Sequence, residues 1–237
     1  MMAAGTPDLT ADTTPDLVTE MFGRLTSSMA ALTNRILGAD RSVEAVLLLN
    51  ERMIDIADLA MAEMGKVTPS PRPIACQTGC SHCCRLPEPL TDVPTVIGLS
   101  YGLMASLDID HYRRVHARLA NAPRPGCPLL EADRCILHAA RPLVCRAFNA
   151  YDIGNCARGL FIDGARGTGI ELGDLWPMGI CAALQDGLAQ GLKALGLDAH
   201  QVRLAPALHR IVQQRDAVSR WLAGEPVFAD LISQQGE

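Results

Sequence analysis

Four of the chain's nine cysteines fall within "CQTGCSHCC", residues 76–84. Cys76, Cys80 and Cys83 are spaced so that one tight loop or helical turn aims all three thiols at a common centre, as ligand spacings of two to four residues do in metal sites. Cys84 breaks that simple picture, because adjacent side chains diverge and rarely share one small ion. A vicinal pair suits a larger object, such as an iron–sulfur cluster or a pair of metals, or leaves one thiol beside the ligand shell.

Further thiols arrive as "CPLLEADRC" (127–135), "RPLVC" (141–145) and "NC" (155–156), among prolines and glycines. Irregular backbone of this kind offers free amide groups to thiolate or sulfide charge. Arg85, Arg134, Arg141, Arg146 and Arg158 lie beside or near the thiols in sequence, where positive charge favours thiolate. His82 and His138 read more naturally as hydrogen-bond partners around the centre than as ligands. Cys181, in "MGICAAL", reads as a buried small hydrophobe on a helix. His111, His116, His200 and His209 read as ordinary polar positions.

The bulk composition sets the compartment in which these thiols are read. The chain has 237 residues, 49% of them hydrophobic, a net charge of −5 and a pI near 5.7. That is enough apolar material for one sizeable core, and nothing marks a phosphate-tracking basic surface, so nucleic acid is not an expected partner. The first 20 residues lack a basic n-region and an apolar stretch, and the longest apolar run, "AVLLL", is far short of the roughly 20 residues of a membrane span. The expectation is a cytoplasmic protein with no membrane partner, where a dense cysteine set is metal-binding or catalytic rather than a disulfide framework.

The elements that must position the cluster are helical. Residues 1–14 read as a disordered tail and 15–237 as one helical domain with the cysteine segment over 74–160. Apolar residues from Val18 to Ile36 recur at three- and four-residue steps and end near Gly38; a second helix runs from about Ser42 to Lys66 and is expected to pair with the first across a short turn. Their methionines are core filler. "TPSPRP" stops the second helix. Thr91 or Asp92 caps a helix over 93–107, and Asp108 or Asp110 caps another to Ala120.

A short helix is expected in "HAARPLVCRAF", and the glycine-rich stretch 159–172 reads as a connection rather than a phosphate loop. Pro177 opens a helix to Leu195 with Gly196 after its end, and Pro206 opens another that runs to Gly224. The class is all-α: a helical bundle with an irregular cysteine-rich metal-binding segment between its N- and C-terminal helices.

"CQTGCSHCC", followed by "LTDVPTVIGLS" and "CPLLEADRCILHAARPLVCRAFNAYDIGNC", resembles the YkgJ-type cysteine-cluster proteins, the CxxCxxCC family of zinc- or iron-chelating domains. The C-terminal "LAPALHRIVQQRDAVSRWLAGEPVF" is similar to the tails of bacterial members. The resemblance implies a small bacterial cytoplasmic metalloprotein whose ligands are Cys76, Cys80, Cys83, Cys84, Cys127, Cys135, Cys145 and Cys156. Cys181 lies outside that pattern, and three residues rather than two separate Cys76 from Cys80. Flagellin lysine methylases are similar in carrying such a cluster, which extends the expectation to iron–sulfur-linked modification chemistry.

Eight thiols divide equally well into two four-cysteine iron–sulfur sites or two structural zinc sites. The vicinal pair and the irregular backbone favour iron, with zinc in a non-catalytic structural or interaction module as the alternative. No complete nucleotide, methyl-donor or hydrolase motif accompanies the cluster, so the sequence assigns no catalytic residue and identifies no protein or small-molecule partner.

Overall fold

The computed structural model describes residues 14–77, 79–86, 89–120, 126–158 and 173–232. The expected N-terminal tail and the glycine-rich connection at 159–172 lie outside these residues. Among the described residues the chain is all-α, with nine α-helices and two minimal antiparallel pairs of strands.

Two long helices come first, α1 (Thr14–Ala39) and α2 (Val43–Val67). Ser42 caps α2 by accepting from the Ala45 N–H at 3.1 Å, and the proline-rich "TPSPRP" follows its end. β1 (Leu90–Thr91) leads into α3 (Val93–Ser106), where Asp92 is the cap and accepts from the Thr95 N–H at 2.8 Å. The Asp108 carboxylate accepts from the His111 N–H at the start of α4 (Ile109–Ala120).

The cysteine segment is built of short pieces: the hairpin β2 (Leu130–Glu131) and β3 (Arg134–Cys135), a 3₁₀ turn over His138–Ala140, α5 (Leu143–Ala147) and α6 (Ile153–Ala157). The single helix expected in "HAARPLVCRAF" is therefore two pieces, separated at Arg141 and Pro142, because proline donates no backbone hydrogen bond to continue a preceding turn. α7 (Trp176–Ala194) follows, with Pro177 in its first turn and Gly196 at φ 69° just beyond its end. That left-handed position is one glycine takes without a Cβ penalty.

Two expectations change. α1 does touch α2, but its main partner is α7. Gly187 and Gly191 let the backbones meet: a Cβ on Gly187 would overlap the Thr26 carbonyl, and one on Gly191 would lie 2.5 Å from Thr33 Cβ. The Thr26 hydroxyl donates to the Ala183 carbonyl at 3.0 Å across the same seam. The expected helix over 206–224 is also two, α8 (Leu204–Gln213) and α9 (Ala217–Leu222), preceded by β4 (Val202–Arg203), which pairs with β1.

Tertiary contacts pull that second helix apart. Trp221 is fully buried on α9 and its indole N–H donates to the Asp198 carbonyl at 3.1 Å. Arg210 on α8 donates to the Val227 carbonyl at 2.6 Å and to the Asp230 carboxylate. Gln214 turns extended so that both arrangements form at once. The core runs through both halves of the chain: Met29, Leu49, Met53, Leu103, Leu184, Trp221 and Phe228 are each buried to 2% exposure or less. Of the methionines on α1 and α2, Met29 and Met53 lie in this core and Met61 and Met64 pack against it.

Candidate metal centre

The eight clustered cysteines come from four stretches of chain, and backbone hydrogen bonds tie several of those stretches together. The Ala75 N–H donates to the Ala150 carbonyl at 2.8 Å, joining the Cys76 strand to the segment between Cys145 and Cys156. The Cys127 N–H donates to the Cys84 carbonyl at 2.6 Å. Gly126 makes that approach possible: it has φ 88°, and a Cβ there would lie 2.9 Å from the Cys84 oxygen. Cys83, Cys84 and Arg85 form a 3₁₀ turn that opens on His82.

A polar brace holds that turn against the β2–β3 hairpin. The Ser81 hydroxyl donates to Asp133 at 2.8 Å, and the Arg85 guanidinium pairs with the same carboxylate while its Nε donates to Ser81 Oγ at 3.3 Å. Asp133 and Ala132 both have positive φ, 59° and 46°, at the hairpin tip. An aspartate tolerates that region better than most residues, and here its side chain is used as well.

The thiols act on one another electrostatically, and Cys83 is felt by Cys76, Cys84, Cys135, Cys145 and Cys156. Cys83 is pulled down to about 6 by a hydrogen bond from the Cys84 thiol, against the effect of burial and with help from Arg141. Cys84 moves the opposite way, raised by the same bond, by burial, and by Cys83, Cys127 and Cys145. Burial pushes Cys145 up to about 12, and Cys127, Cys83 and Cys135 add to the rise. Cys156, buried, is pushed up to about 11 by burial and then by Cys76, Cys80 and Cys83. Burial is also the main cause that raises Cys76 and Cys135.

Thiols arranged this way oppose one another's ionisation, and a bound cation is what holds several of them as thiolates together. The donor chemistry therefore fits a soft or borderline metal. Among the described residues, no three His, Cys, Asp or Glu side chains converge on a point the size of one ion. The thiol segments are joined by backbone hydrogen bonds and their thiols act on Cys83's neighbours by charge, without a single-ion shell among the described residues.

Of the five arginines singled out by sequence, Arg141 is the one whose charge acts on several of the clustered thiols. Arg141 lowers the pKa of Cys76, Cys83, Cys135 and Cys145. Arg85 is engaged by Asp133, and Arg158 donates to Asn155 at 2.6 Å. Arg146 is the device that positions Arg141. Its side chain is only 8% exposed, it donates to both Asp58 oxygens at 2.7 and 2.8 Å, and it reaches the carbonyls of Ala139 and Arg141. It thus ties the turn carrying Arg141 to α2.

His138 accepts a hydrogen bond from Arg141 at 2.6 Å, in keeping with a supporting position, and His82 lies within electrostatic reach of Asp133. Cys181, buried in α7, is pushed up to about 11 by burial, and the charges that act on it are Arg146, Asp58 and Arg141 rather than other thiols. Sequence reading missed the Ser81–Asp133–Arg85 brace, since Asp133 sits in a hairpin without glycine.

Residues 75–163 match the family model described as "Putative zinc- or iron-chelating domain", CxxCxxCC. The segment is of the CxxCxxCC type. The match begins one residue before Cys76 and takes in all eight clustered thiols while leaving out Cys181. Metal binding is the property that description gives to the segment, with zinc and iron both named. No curated protein and no solved structure matches the chain. No helix among the described residues is long and apolar enough to cross a membrane.

Proposed function

We propose that the CxxCxxCC segment holds iron, as an iron–sulfur cluster, through thiolates drawn from Cys76, Cys80, Cys83, Cys84, Cys127, Cys135, Cys145 and Cys156. The observation that carries this reading is the vicinal pair Cys83 and Cys84 on a short turn, bonded through the backbone to the Cys127 segment and acting by charge on thiols from other stretches. A polynuclear centre accommodates ligands wider apart than one ion does, and adjacent cysteines fit it better than a mononuclear site. When bound, such a cluster supplies one-electron or Lewis-acid chemistry.

The chain's own residues then have separable roles. Cys83, already inclined to ionise, is the first thiolate available, and Arg141 offsets part of the accumulated negative charge. Ser81, Asp133 and Arg85 hold the vicinal turn in register with the hairpin that carries Cys135. Arg146 and Asp58 anchor the Arg141 turn to the helical frame.

Alkylation mapped by peptide mass spectrometry tests the ligand set. Neighbouring atoms partly desolvate Cys76 and Cys83, yet both residues keep an exposed surface, so a free thiol at either position is open to label. Both should resist iodoacetamide in the metal-loaded protein and become the first sites labelled after chelation, with buried Cys181 slow in both states. Equal labelling of Cys76 and Cys83 with and without metal contradicts the proposal.

A further inference from the structure

A cavity of about 320 Å³ lies beside the cysteine segment, between α2, α3 and the turn that carries Arg141. This is at the lower end of the roughly 300–1,000 Å³ of small-molecule sites. Its body is apolar, with Met53, Ile54, Leu99 and Leu143 among its walls. Its charged groups stand on different elements. Arg141 comes from the cluster side, and Glu51 and Asp55, one helical turn apart on α2, come from the other.

These groups are not spent on the fold. Arg141 gives Nη1 to His138, but its Nε is buried without a partner. Thr95, another lining residue, is 6% exposed and its side chain pairs with the buried Asp92 carboxyl. Asp55 has only a 3.6 Å pairing with Arg52, in which both side chains are more than half exposed. Burying a polar atom unpaired is costly, and Arg141 is the wall residue that bears that cost, so its guanidinium is the group for a ligand anion to answer.

We propose that this cavity binds a small zwitterion of the amino-acid class with an apolar side chain. Its carboxylate pairs with Arg141, its ammonium group faces Glu51 and Asp55, and its apolar part lies along Met53 and Leu99. A simple anion would leave the two carboxylates unanswered, and a simple amine would leave Arg141 unanswered. The identity of the ligand class rests on the cavity alone. Its consequence for the cluster rests on the metal-binding reading, because Arg141 is the cation that both would share.

Leucine, 4-methylpentanoate and isopentylamine form a matched set of probes with both charges, the negative alone and the positive alone. Titrated by calorimetry into the protein as purified, leucine should bind at least about tenfold more tightly than either of the others. Glu51→Gln with Asp55→Asn changes two exposed positions that the fold does not need, and should bring leucine down to the affinity of 4-methylpentanoate. Arg141→Gln should bring it down to that of isopentylamine. Equal binding of leucine and 4-methylpentanoate, or leucine binding unaffected by the double substitution, overturns the proposal, as does no heat with any of the three. A protein that binds leucine but contains no iron would sink the iron–sulfur reading and leave this one standing.

Discussion

Replacing Cys83 with serine is expected to strip the metal and lower the melting temperature in the same variant. Cys83 is held below the usual thiol range by Cys84 and acts on Cys84, Cys145 and Cys156, so under the proposed function its loss removes a ligand linked to several others. A metal present at about a thousand times its Kd contributes about 4 kcal/mol to the folded state. For a chain of this length, that corresponds to a fall of roughly 8–16 °C. The helical frame has its own core and should remain folded, so circular dichroism stays helical while metal content and melting temperature drop. Cys181→Ala is the companion variant: it costs packing in α7 but should keep the metal in full. A Cys83→Ser protein that retains its metal and melts with the parent removes Cys83 from the ligand set.

The second large effect lies far from any thiol. Gly187→Ala should cost about 3 kcal/mol, at the upper end of overpacking penalties, because the new methyl meets the Thr26 carbonyl and Met29 Cβ rather than a yielding side-chain tip. The expected fall in melting temperature is roughly 6–12 °C. Gly23→Ala is the contrast. That glycine lies exposed within α1 with nothing near its would-be Cβ, so alanine should raise stability by roughly 0.5–1 kcal/mol through helix propensity alone. A scanning calorimetry trace in which both variants melt alike would mean that α1 and α7 are not in the close contact described.

Those two glycines also show where sequence reading succeeds and where it stops. Local signals carried most of the element boundaries: Ser42, Asp92 and Asp108 cap the helices they precede, Pro177 opens α7, and Gly196 takes the left-handed position after it. Such features are decided within a few residues, by backbone donors and side chains that sit next to each other.

Helix pairing is decided elsewhere. α1 and α2 are neighbours in the chain, yet the stripe Ala183, Gly187, Gly191 gives α1 its closest approach to α7. That stripe at four-residue spacing was the visible signal for it. The split between α8 and α9 has no breaker in "QQRD", and it follows from where Trp221 and Arg210 find partners distant in sequence. At the candidate site, the four thiols of 76–84 stood out in the sequence because random burial seldom places four cysteines in nine residues, while the other four entered through the family resemblance. The role of Arg141 was not legible, since Arg85 and Arg146 are engaged by aspartates distant in sequence.

The central claim is that the clustered thiols hold iron with sulfide. The measurement that tests it most directly is iron, zinc and acid-labile sulfide analysis, with a visible spectrum, on the full chain purified without oxygen. The account predicts iron with matching sulfide and a broad absorption near roughly 400 nm that disappears in Cys83→Ser. Zinc without sulfide, in a colourless protein, would contradict it and make the segment a structural thiolate site that pins its loops to the helical frame.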